Sequence, residues 1–282
     1  QYDPVWEIND VVEKVNKDRG FQVGIHVDAA SGGFIAPFQE DLPDWDFRLK
    51  NVLSISASGH KFGESCIGTG WVVWRQRKNL SDHVAISVSY LGGTGESYNL
   101  NFSRPASGIY VQYYKFLRYG IAGYQKICDH MMTHAQKIRE GLGKMKFEGM
   151  PRFIILDDGD KNCLPVVTAM LNPECNFEYD DIDLQHAISE HNWYVSGYKM
   201  NFEDPITKED KPIFTDQDGS KTMFRVVVKN NINAIMVDNL IDSFGKTLEM
   251  LDSIEFKNKS NGDFKGIHRK KHLSSKHLCH VC

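Results

Sequence analysis

The chain has 282 residues, enough for one large or two modest domains with a sizeable core. An apolar fraction of 41%, a charged fraction of 25% and a net charge of −4 describe an ordinary globular protein and argue against a nucleic-acid partner. No apolar run reaches the ~20 residues of a membrane span. No secretory leader is read, and the six cysteines are scattered without a disulfide spacing, so cytoplasm is the expected compartment.

Tyr2-Asp3-Pro4-Val5 leads straight into an amphipathic stretch over residues 8–15 that reads as a helix ahead of a strand. Such a start belongs inside an α/β domain, and an upstream part of the fold is expected. Phe21-Gln22-Val23-Gly24-Ile25-His26-Val27 is a short apolar run that reads as a buried parallel strand. Asp28 sits at its carboxyl end, where open α/β sheets place their ligands. Residues 51–56 form a second such run and deliver Lys61 just beyond its end, and residues 70–75 form a third. Strand, connector and strand succeed one another, which favours a mixed or mainly parallel sheet. Residues 90–98 are a Gly-rich polar loop, a candidate mobile element. Residues 107–119 carry Ile109, Tyr110, Tyr113, Phe116 and Leu117 at helical spacing, and a second helix follows Gly120 over about residues 124–145.

Beyond Pro151, residues 153–156, 166–171 and 224–228 read as strands, and 181–191 and 234–254 as helices. Asp180 or Asp181 serves as N-cap of the first helix and Asn233 of the second. This is the pattern of a small α+β domain. From Lys257 the composition turns polar and basic and reads as a flexible tail. His268, His272, His277, His280, Cys279 and Cys282 fit no standard zinc spacing, and the tail lacks the apolar stripe of a calmodulin target, so no metal is assigned.

Two residues stand where chemistry is expected. Lys61 lies in Ser56-Ala57-Ser58-Gly59-His60-Lys61-Phe62-Gly63, bracketed by small residues that let the backbone approach a ligand. Asp28 lies in His26-Val27-Asp28-Ala29-Ala30-Ser31-Gly32-Gly33-Phe34. An amine and a carboxylate so placed are the two groups that pyridoxal 5'-phosphate chemistry needs: one holds the cofactor aldehyde as a Schiff base, the other keeps the pyridine nitrogen protonated. The bland alternatives are a solvated lysine and an aspartate bonded to its own turn. Ala30 is placed to pack against the ring, and Ser58 and His60 suit the phosphate as donors.

These two motifs, with Tyr90-Leu91-Gly92-Gly93 and Asn101-Phe102-Ser103-Arg104-Pro105-Ala106 in the same order, resemble pyridoxal-phosphate-dependent glutamate decarboxylases of the bacterial, plant and fungal type over residues 1–256. The resemblance implies an α/β, fold-type I architecture with a mainly parallel sheet. Residues 1–121 would be the C-terminal part of a large cofactor-binding domain, 122–256 a small domain with its connecting helix, and 257–282 the tail. It implies a homodimer or higher homo-oligomer with the active site at the subunit interface, and conversion of L-glutamate to 4-aminobutanoate and carbon dioxide.

Residue by residue, the resemblance makes Lys61 the Schiff-base lysine, Asp28 the partner of the pyridine nitrogen and Ala30 the residue beside the ring. Ser58 and His60 become phosphate contacts. Ser103 reaches the phosphate of the neighbouring subunit's cofactor, and Arg225 holds the substrate α-carboxylate. For Arg225 the bland reading is a strand residue in a surface ion pair; its apolar neighbours favour a buried guanidinium with an anionic partner. The proton donor is Lys61 or Tyr98. The stretch Glu64-Ser65-Cys66-Ile67-Gly68 is more polar than the family pattern, and the residues that read the distal carboxylate are not found in the chain. Two other readings are kept: another pyridoxal-phosphate lyase or an aromatic amino-acid decarboxylase on the same scaffold, and a silent chain that serves only in dimerisation.

Overall fold

The computed structural model describes residues 2–88, 92–93, 95–98, 104–157, 159, 162–203, 206–212 and 221–260. The chain forms two compact units. The first comprises residues 1–136, 158–166 and 228–233, and the second comprises 137–157, 167–227 and 234–282. This division differs from one at residues 121 and 122, because distant short segments join the first unit. Long-range hydrogen bonds attach them: Gln39 Nε2 donates to the Cys163 carbonyl at 2.7 Å, and His130 Nε2 to that of Ile232 at 2.8 Å.

In the first unit, helix α1 (Val5–Arg19) ends at Gly20, whose φ of 68° supplies the left-handed C-cap. Strands β1 (Ile25–Asp28), β2 (Val52–Ser58) and β3 (Gly70–Trp74) form a sheet in the order β1-β2-β3. β1 and β2 run parallel, with His26 opposite Ser54 and Asp28 opposite Ser56. β3 runs antiparallel to β2. The sheet is therefore mixed, because the connector 59–69 is too short to carry the chain back for a parallel crossover. The first expected strand is also shorter than its apolar run: Phe21 and Val23 are exposed, and pairing starts at Ile25. Val5, Val27, Ala29 and Val52 make one core cluster, and Ile35, Phe62, Cys128 and Met131 another.

A hairpin of β4 (Ile86–Val88) and β5 (Gly95–Ser97) follows. Helix α2 (Ser107–Gly143) is broken at Gly120, where φ is 56°. The expected apolar row is on its outer side: Ile109, Tyr110, Tyr113 and Leu117 are exposed, while Gln112 is wholly buried.

The second unit begins with the last turns of α2, followed by the short pair β6 (Lys146–Phe147) and β7 (Met150–Pro151). β8 (Phe153–Ile155), β9 (Val166–Leu171), β10 (Ser196–Lys199) and β13 (Thr222–Val227) form a sheet in the order β10-β13-β9-β8. A separate hairpin pairs β11 (Asn201–Glu203) with β12 (Asp210–Pro212). Helices α3 (Asp181–Ile188) and α4 (Ala234–Ser260) complete the unit, so the expected start of the tail at Lys257 lies inside α4 and residues 261–282 lie outside the described set. Asp180 is the α3 N-cap, accepting from the Ile182 and Asp183 amides at 2.9 Å. The core centres on Phe224, 5.4 Å from Phe153 and 5.5 Å from Phe244 between ring centres. Burying each such ring is worth about 1.5–3 kcal/mol.

Candidate cofactor site

The parallel pairing of β1 with β2 brings their carboxyl ends side by side in the first unit. Asp28 ends β1. Its Oδ1 accepts from the Ala30 amide and from Ser56 Oγ, both at 3.1 Å. These two bonds, and the positive groups His26 and Lys61 nearby, hold its carboxyl below the ordinary range. The carboxylate is therefore an anion throughout physiological pH, and its Oδ2 accepts no hydrogen bond among the described residues.

Lys61 lies in the turn that follows β2, and its Nζ donates to Ser31 Oγ at 3.4 Å. Asp28, Ala30, Ser31, Gly32 and Lys61 share one cavity of about 460 Å³, with His26 on its wall. His26 Nδ1 shares a 2.7 Å hydrogen bond with the buried Ser54 Oγ. Tyr2 and Trp6 add aromatic walls. The Tyr2 hydroxyl donates to Gln39 Oε1 at 2.8 Å, and burial raises its pKa, so it keeps its proton.

Other expected site residues sit differently. Ser58 ends β2 and His60 lies in the turn that follows, but neither lines the cavity. The His60 ring is engaged elsewhere, its Nδ1 donating to the Thr69 carbonyl at 2.9 Å. Ser103 lies outside the described residues. Arg225 is on β13 of the second unit, between buried Phe224 and Val226. Strand alternation turns it to the exposed side, where its guanidinium lies 5.8 Å from the Tyr198 ring centre; the expected burial is not observed. The Tyr98 hydroxyl donates to Glu96, and Arg77 Nη2 donates to Tyr98 at 2.8 Å.

Ser31 and His26 are the residues that sequence reasoning missed as chemistry. His26 carries a signal, since it lies two positions before Asp28 on the same strand face. Ser31 carries none beyond its small size.

The residues present fit the pyridine end of pyridoxal phosphate. An anionic carboxylate and a primary amine face one cavity of ligand-binding size, with an alanine and a glycine on its wall. The phosphate end is not represented by Ser58 or His60 on that wall.

The architecture is that of fold-type I enzymes in part. The chain superposes on a glutamate decarboxylase from Lactobacillus brevis with a TM-score of 0.76 at 34% identity, covering 89% of this chain and 52% of that one. A sphingosine-1-phosphate lyase from Burkholderia pseudomallei, 20% identical with a TM-score of 0.63, shares the fold, over 94% of this chain and 53% of its own.

Residues 1–168 match the pyridoxal-dependent decarboxylase conserved domain, and the chain belongs to that family. Its cofactor is accordingly pyridoxal phosphate. A glutamate decarboxylase of Lactococcus lactis is 37% identical over 254 residues, 89% of this chain and 50% of that protein. That of Aliivibrio fischeri is 36% identical over 241 residues, 86% of this chain and 48% of its own length. The chain thus spans about half the length of these relatives. Among the described residues no helix is long and apolar enough to cross a membrane, and no His, Cys, Asp and Glu cluster could hold a metal ion.

Proposed function

We propose that this protein takes part in pyridoxal-phosphate-dependent decarboxylation of L-glutamate to 4-aminobutanoate and carbon dioxide. One observation carries the reading: an amine on one strand's exit turn and an anionic carboxylate on its parallel neighbour line a single cavity. Glutamate as substrate is supported by the naming of the relatives that match. When bound, the cofactor supplies an electron sink for the bond that breaks at the substrate's α-carbon.

Lys61 Nζ would hold the cofactor through its aldehyde, and Lys61 or Tyr98 would return a proton to the substrate's α-carbon. Ser31 Oγ, 3.4 Å away, orients that amine. Asp28 would keep the ring nitrogen protonated, and Ala30 would stand beside the ring. The family resemblance assigns the phosphate to Ser58, His60 and the neighbouring subunit's copy of Ser103, and the substrate α-carboxylate to Arg225, although Ser58 and His60 stand off the cavity wall and Arg225 belongs to the second unit. The assembly is a homodimer or higher homo-oligomer acting in the cytoplasm. The exposed row Ile109, Tyr110, Tyr113 and Leu117 on α2 supports an interface between copies.

Borohydride reduction of cofactor-loaded protein followed by peptide mapping tests the site, with the label expected on Lys61. Carbon dioxide release from a panel of amino acids tests the substrate. Release from aromatic amino acids but not from glutamate would overturn the choice, and a label on another lysine would overturn the site.

A further inference from the structure

A buried amide beneath the lysine turn is not accounted for by the cavity. Gln112, on α2, has no exposed surface. Its Nε2 donates to the Gly63 carbonyl at 2.7 Å and to the Tyr124 hydroxyl at 3.1 Å. Tyr124 donates in turn to the same carbonyl at 3.0 Å. Burial pushes the Tyr124 phenol up to about 12, so that hydroxyl remains a donor. One carbonyl, two residues after Lys61, is thus gripped by two donors from another element.

The other end of the turn meets the same side chain. A Cβ on Gly59 would lie 2.1 Å from Gln112 Oε1, and one on Gly63 would lie 2.8 Å from the Gly59 carbonyl oxygen and from the Phe34 ring. Ser65 extends the attachment: its amide donates to the Gly59 carbonyl at 2.9 Å and its Oγ to the Gly108 carbonyl at 2.7 Å. The turn from Gly59 to Gly63 is closed on itself and seated on α2 through Gln112.

The seating has a cost. Gln112 Oε1 is buried and accepts no hydrogen bond among the described residues. An apolar side chain of similar length would fill the space without stranding an oxygen. What such a side chain could not do is donate to the Gly63 carbonyl.

We infer that Gln112, assisted by Tyr124, is a positioning residue that fixes the turn bearing Lys61, so that its amine points at Ser31 and into the cavity. This rests on Lys61 being the amine that takes the cofactor. The amide acts through the Gly63 carbonyl and touches neither cofactor nor substrate. A turn freed from the clamp lets the Lys61 backbone wander, and geometric misplacement of about 1 Å at a reacting group is costly.

The test uses protein expressed from its complete reading frame. Pyridoxal phosphate is added to the cofactor-free form, and its attachment is trapped with borohydride at timed intervals and mapped by peptide. Gln112→Met is expected to slow labelling at position 61 about tenfold, and Tyr124→Phe severalfold, at unchanged melting temperature. The pH of half-maximal labelling should move as well, which a merely structural role would leave in place. Gln112→Asn, which keeps a donor, should recover part of the rate. Labelling of Lys61 at the parental rate and pH midpoint in a folded Gln112→Met protein would overturn the inference while leaving the site intact. Where Gln112→Met does not fold, Tyr124→Phe decides in the same way. A label off Lys61 in the unsubstituted protein would instead overturn the site itself.

Discussion

Replacing Asp28 with asparagine separates charge from shape at the proposed site. Asparagine keeps an oxygen where Oδ1 now accepts from the Ala30 amide and Ser56 Oγ, both at 3.1 Å. The side chain is exposed and nearly unchanged in volume, so stability should shift by no more than about 0.5 kcal/mol. What disappears is the negative charge that those hydrogen bonds maintain well into the acid range. An opposite charge at contact raises the pKa of a basic ring nitrogen by roughly 1–3 units, each about 1.4 kcal/mol. The ring would lose that much preference for its protonated, electron-accepting form. The expected loss in kcat is therefore roughly 10- to 1000-fold, with the cofactor retained and the KM for glutamate little changed. Activity should recover partly as pH is lowered, because solvent then supplies the proton that the carboxylate no longer holds in place. Steady-state carbon dioxide release between about pH 4 and 8, with cofactor content checked by absorbance, measures this. Full kcat in a loaded Asp28→Asn protein would refute the assignment of Asp28 to the ring nitrogen.

Other substitutions probe the scaffold. Asp181 is buried, accepting from the Leu171 amide at 2.9 Å and Thr222 Oγ1 at 2.8 Å, and desolvation pushes its carboxyl up to about 6. Because the folded state then binds the proton more tightly than the unfolded chain, this group favours folding at low pH. That contribution fades as pH rises from about 4 to 6, by up to about 3 kcal/mol; Asp181→Asn should flatten this part of the stability profile in urea titrations. Arg152 is buried, bonded to Asp252 at 3.2 and 2.6 Å, with the Phe147 ring centre 4.8 Å from its guanidinium. Arg152→Leu leaves the part-buried Asp252 without its guanidinium, the Tyr179 hydroxyl still donating to it at 2.7 Å, and should cost about 3 kcal/mol in a denaturant titration, whereas a loss below about 1 kcal/mol would show the pair to be solvated. Gly63→Ala places a methyl 2.8 Å from the Gly59 carbonyl and should cost about 1–3 kcal/mol by the same assay; a neutral result would mean that the turn yields easily.

The helical spacing of residues 107–119 identified a helix but not its buried side. Ile109, Tyr110, Tyr113 and Leu117 are exposed, and a glutamine occupies the interior. Periodicity marks an apolar face; it does not say whether that face packs within the unit. The α3 cap was legible because capping is local: Asp180 and the amides it accepts from lie within three residues. The division into two units was not, because residues 158–166 and 228–233 join the first through bonds across long stretches of chain, such as Gln39 to Cys163 and His130 to Ile232.

Local sequence by itself set an aspartate at the end of one apolar strand and a lysine just past the end of the next. Whether those ends meet depends on register. A shift of one residue between β1 and β2 would turn Ser56 away from Asp28, and only the paired sheet fixes it. The tertiary structure likewise chose Ser31 as the lysine's partner, drew His60 to the Thr69 carbonyl, and buried Gln112 under the turn. Each of these contacts joins residues separated by intervening chain, and its geometry is settled when the elements pack together, which no window of neighbouring residues encodes.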